Sequence, residues 1–105
     1  MERPNLSYIE SMSGGDKTFE RKLIDIIKEE FPIEKEVYFT NIKSKNNKLT
    51  AEIVHKLKHK ISILGLEESY KIADEYEHNL RLKSNDKAYD FDLILATISN
   101  YLKTI

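Results

Sequence analysis

Apolar residues recur at three- and four-residue spacing along almost all of this 105-residue chain, the period at which side chains stack on one face of an α-helix. Strand readings fail on the same residues. The stretch from Leu93 to Ile98 includes Ala96 and lacks clean alternation, and no Asn-Gly or Asp-Gly pair is present to close a tight hairpin. The chain is therefore expected to be all-α. A chain of this length buries a little over about 60% of the surface its unfolded form exposes, enough for one core without staples, and residues 1–105 are read as one domain.

The punctuation between periodic stretches sets the helix count. Gly14, Gly15 and Asp16 end a short opening helix or turn. Asp16 is the natural N-cap for a helix carrying Phe19, Leu23, Ile26, Ile27 and Phe31 on one side. Pro32 is expected to break or kink it, with Ile33, Val37, Tyr38 and Ile42 continuing in a second segment. The polar run Lys43 to Lys48 reads as a loop, and Asn46 or Asn47 caps the helix that follows, which ends near Gly65 with Leu66 folding back on it. A further helix spans about Glu67 to Leu82, with Leu66, Tyr70, Ala73, Tyr76 or Glu77, and Leu80 inward. After Ser84, Asn85 and Asp86, the last runs from about Lys87 to Lys103, with Phe91, Ile94, Leu95, Ile98, Tyr101, Leu102 and Ile105 inside. Short loops make neighbours antiparallel, so the expected architecture is an antiparallel four-helix bundle with a short additional N-terminal helix or turn.

One helix carries chemistry as well as packing. In HKLKHKISILG, His55 to Gly65, the polar His55, Lys58, His59 and Ser62 share one side, against Ile53, Leu57, Ile61 and Leu64 on the other. A neutral imidazole facing solvent has a free ring nitrogen and accepts a phosphoryl group reversibly. Phosphoryl transfer then depends on positioning and on positive charge at the equatorial oxygens. Lys58, one turn on, is placed to supply that charge, Ser62 to orient neighbours or water, and Lys56 and Lys60, farther round the helix, to steer an acidic partner.

Other readings of the same residues are weaker. His55 and His59 at i and i+4 can share a metal ion, but a further ligand is needed, Glu52 is only a guess, and the intervening Glu of zinc hydrolases is missing, so no metal site is assigned. Lys43, Lys45, Lys48, Lys56, Lys58 and Lys60 would form a basic stripe for nucleic acid. Against it stand 17 Lys plus Arg balanced by 18 Asp plus Glu, and the absence of a recognition motif. His78 is read as an exposed bystander on the next helix. No cysteine is present, which removes disulfides, thiolate nucleophiles and Cys-rich zinc sites. No stretch approaches the roughly 20 apolar residues of a membrane span, and the N-terminus lacks a signal-like apolar run. The expectation is an intracellular, cytoplasmic chain with no membrane or nucleic-acid partner, and the Met1 start leans towards a complete small protein rather than a segment of a hybrid kinase.

Around His55 the chain resembles the histidine-containing phosphotransfer (HPt) domains of two-component phosphorelays. The family pattern is His, any residue, Leu, Lys, Gly, then small residues and a Leu-Gly pair; His55, Leu57, Lys58 and Leu64-Gly65 match in register. The opening from Leu6 to Pro32 is also similar to the family's usual start. Where the family commonly has glycine, one turn after the histidine, this chain has His59, followed by Lys60 and Ile61 in place of small residues. The resemblance implies a monomeric signal-transduction phosphoprotein that relays a phosphoryl group between receiver-domain aspartates. His55 would be the phosphoacceptor, Lys58 the phosphate support, and His59, Ser62 and Lys56 part of the receiver-docking face. It implies response-regulator receivers and a hybrid sensor kinase as partners, and no cofactor of the chain's own. No nucleotide loop or Walker signature is present, so a receiver would bring both aspartyl phosphate and magnesium. The alternative from a different class is a helical module that binds a receiver or kinase without transferring phosphate.

Overall fold

The computed structural model describes residues 2–105 and is all-helical: α1 (Ser7–Ser13), α2 (Lys17–Lys43), α3 (Asn47–Ile63), α4 (Glu67–Arg81) and α5 (Ala88–Leu102). The four long helices form the antiparallel bundle and α1 is the short addition, packed on α2. The starts of α2 and α3 and the end of α3 have local causes. The Asp16 side chain accepts from Phe19 N at the start of α2, and Asn46, the first of the two candidate asparagines, accepts from Leu49 N at the start of α3. At the end of α3, Gly65 takes φ 76°, Leu66 N donates to Ile61 O and Gly65 N to Ser62 O, and Leu66 is buried, which together make a Schellman cap.

Pro32 does not divide α2. The helix runs on from Lys17 to Lys43 with the proline inside it and on its exposed side. The ring removes one N–H and crowds the preceding turn, but the residues on either side are held by packing: Phe31 and Tyr38 are 1% exposed. At about 1.5 Å per residue, 27 residues span some 40 Å, close to the 44 Å long axis of the described molecule. The buried stripe of α2 is also narrower than its apolar pattern. Ile24, Ile27, Phe31 and Tyr38 enter the core, whereas Phe19, Ile26, Ile33 and Val37 remain at least two-fifths exposed.

The core joins that stripe to Ala51, Val54, Leu57 and Ile61 of α3, Ala73, Tyr76 and Leu80 of α4, and Phe91, Leu95 and Ile98 of α5. At its centre the Tyr38 and Tyr76 hydroxyls lie 2.7 Å apart, with Phe91 against both rings. The Tyr38 phenol is pushed far above its ordinary range by burial and by the bond to Tyr76. This pair fixes α4 against α2 through the residue next to Glu77. No helix among the described residues is long and apolar enough to cross a membrane.

Candidate functional site

The site lies where α3 faces α4. Leu57 and Ile61, fully buried, anchor one side of α3, and the helical repeat then turns His55, His59 and Ser62 outward. The His55 side chain is 53% exposed, yet its ring is not free to rotate at will: Nδ1 lies 3.2 Å from Glu77 Oε1 on α4. A carboxylate only accepts, so Nδ1 carries the proton, and in the neutral ring the lone pair is on Nε2.

Glu77 is the hub. Its Oε1 also receives Lys58 Nζ at 2.9 Å, and its Oε2 receives the Arg81 guanidinium at 3.0 Å. Burial alone would raise this carboxyl; the hydrogen bonds from Lys58, Arg81 and His55 outweigh it and hold Glu77 below the usual carboxylate range. It is therefore a fixed negative charge at neutral pH.

Lys58 does not stand in solvent as its place on the helical wheel suggests. Its side chain is 8% exposed, and Nζ bonds Asp74 Oδ1 at 2.7 Å as well as Glu77, lying 5.4 Å from the centre of the Tyr70 ring. Burial would lower this ammonium, but Asp74 and Glu77 raise it overall, so it remains charged. Lys60 departs further from its expected steering role. It is buried between Glu30 and Glu34 of α2, 3.0 Å from each, and tightens the α2–α3 contact.

His59 sits one turn beyond His55, the two rings edge to face with centroids 5.3 Å apart. Ser62 is exposed and shares a shallow groove with Glu67, Tyr70 and Lys71. Lys56 is exposed too, and makes no ion pair among the described residues. The structure thus brings together His55 and His59, and ties Lys58 to His55 through Glu77; Ser62 and Lys56 share the helix without joining that network. His78 is exposed on α4, as expected. Among the described residues no group of three or more His, Cys, Asp or Glu side chains could hold a metal ion.

Sequence reasoning did not single out Asp74 or Arg81, and took Glu77 only as an alternative to Tyr76 on the inner face. The signal was present in their spacing. Tyr70, Asp74, Glu77 and Arg81 recur at four, three and four residues, one stripe of α4 beside its apolar face. Tyr76 and Glu77 are in fact both buried.

Comparison with protein-family models, with curated proteins and with solved structures finds no match to this chain.

Proposed function

We propose that the protein is a histidine phosphotransfer module in which His55 Nε2 accepts a phosphoryl group from a receiver-domain aspartate and passes it to another. The observation that carries this reading is the Glu77–His55 bond: it places the proton on Nδ1 and leaves a nucleophilic nitrogen on a half-exposed ring. In the transfer the Nε2–phosphorus bond forms as the acyl phosphate P–O bond breaks, and the aspartate carboxylate leaves. The Nδ1 proton stays where it is, because the charge that develops on the imidazole is met by Glu77.

Lys58 supports this chemistry as a positioning residue. Its ammonium clamps Glu77 in place, 2.9 Å from the same oxygen that holds His55 Nδ1. The receiver supplies the aspartyl phosphate and its magnesium, and His59, Ser62 and Lys56 lie on the face it would meet. A receiver- or kinase-binding module that transfers nothing is the competing reading, favoured by the engagement of Lys58 with two carboxylates.

The deciding experiment incubates the protein with phosphorylated receivers and follows acid-labile label on the wild type and on His55→Gln. Label on the wild type alone is expected. Receiver binding that survives His55→Gln without any transfer supports the binding-only module, and equal labelling of His55→Gln removes His55 as the acceptor.

A further inference from the structure

Lys58, the cation one helical turn beyond His55, is already held by Asp74 and Glu77 and is almost buried. Phosphoryl oxygens on His55 therefore need a donor from elsewhere on the exposed face. Lys56 is adjacent in sequence but about 100° round the helix. His59 is one turn away on the same side, exposed, with its ring against that of His55.

We infer that His59 is a phosphoryl-binding residue: in its protonated form it donates a ring N–H to an oxygen of the phosphoryl group carried by His55. This rests on the phosphoacceptor reading of His55 and assigns a task to the position at which the chain departs from glycine. An edge-to-face pair with centroids 5.3 Å apart puts an N–H of one ring within reach of a substituent projecting from the other. The surrounding charges do not satisfy His59 beforehand. On α3 its charged or titratable neighbours are His55, Lys56, Lys58 and Lys60, with the exposed Glu52 two turns earlier on the same stripe and not ion-paired with it. From α4, Glu77 is committed to His55, Lys58 and Arg81, and Asp74 to Lys58; from α2, Glu30 and Glu34 are committed to Lys60. His59 itself forms no ion pair among the described residues.

The donated bond is charge-assisted when His59 is protonated and weaker when it is neutral. His59 gains or loses no proton in the transfer step itself. Linkage then requires reciprocity: if protonated His59 favours the phosphoryl group, the phosphoryl group must raise the proton affinity of His59 by the same factor. At an exposed site that factor is expected to be roughly two- to fivefold. The phosphorylated state is correspondingly favoured when His59 is protonated.

The test uses the whole protein, labelled with nitrogen-15 and loaded with phosphoramidate, whose P–N bond breaks with loss of ammonia as the Nε2–P bond forms. The ring signals of His59 and His78 are followed against pH before and after loading. A two- to fivefold rise in the proton affinity of His59, with His78 on α4 unmoved, is the expected result. Loading of His55 with no change at His59, or with equal changes at His59 and His78, overturns the assignment of His59 and leaves His55 standing. A protein that cannot be loaded overturns both.

Discussion

At the scale of single residues, Glu77 decides what His55 can do. A carboxylate that is 12% exposed and bonded to Lys58, Arg81 and His55 favours the Nδ1–H tautomer of the imidazole and, in the proposed transfer, would balance the charge the ring gains. Glu77→Gln keeps the shape and loses the charge, so phosphotransfer should slow by about ten- to a hundredfold while far-ultraviolet dichroism stays helical. An unchanged rate in rapid-quench assays would remove Glu77 from the mechanism. Lys58→Ala should slow transfer as well, and it should also cost about 1–3 kcal/mol in urea unfolding, because it leaves a largely buried carboxylate short of a partner. A surface lysine would cost almost nothing. The placement of His55 on an outward turn was legible from Leu57 and Ile61 alone. The burial of Lys58 was not, since a wheel of α3 says which side a residue faces but not that α4 lies across that side with Asp74 and Glu77.

At the scale of elements, α2 is set by tertiary packing against a local preference. Pro32 disfavours helix by about 3 kcal/mol relative to alanine in an isolated segment, yet α2 passes through it because Phe31 and Tyr38 are locked in the core. Pro32→Ala should therefore stabilise the protein, raising its thermal midpoint by several degrees, and a lowered midpoint would show that the ring packs usefully. Pro32 was a sound signal for a break when read alone; only the helices opposite it reveal why the chain continues. The same limit applies to Phe19, Ile26, Ile33 and Val37, whose spacing is helical but whose side of α2 has no neighbour to cover it. The Tyr38–Tyr76 pair tests how α2 holds α4. Tyr38→Phe leaves the buried Tyr76 hydroxyl without its partner and should cost about 1–3 kcal/mol, Tyr76→Phe should cost less because Asp92 also faces the Tyr38 hydroxyl, and the double change should cost less than the sum of the two. Additive costs would mean that the hydroxyls do not bond each other.

At the scale of the whole molecule, the bundle couples its stability to the ionisation of its site. Glu77 is held below the ordinary carboxylate range in the folded state, so its contribution to stability is present above that range and is lost as pH falls through its folded value. Glu2 acts in the same direction: burial works against it, but bonds from the Ser69 and Glu68 amides at the start of α4 lower it. Lys58 is raised, so its contribution is present below the ordinary lysine range and is lost only as pH rises through its folded value. Stability towards urea should accordingly fall below about pH 4.5, and Glu77→Gln should flatten that fall. The helical class and, apart from the break expected at Pro32, the approximate ends of the long helices followed from period and capping residues, because these act within a few neighbours. The network joining α3 to α4 did not, because it depends on how two helices meet.

That Glu77 reserves Nε2 of His55 for phosphorus, as proposed, is tested most directly by the identity of the phosphorylated nitrogen. Phosphorus–nitrogen correlation spectra of the protein loaded from a phosphorylated receiver should show one phosphohistidine, at His55 and bonded through Nε2. Phosphorus on Nδ1 of His55, on His59 or on His78, or no phosphohistidine at all, would contradict it.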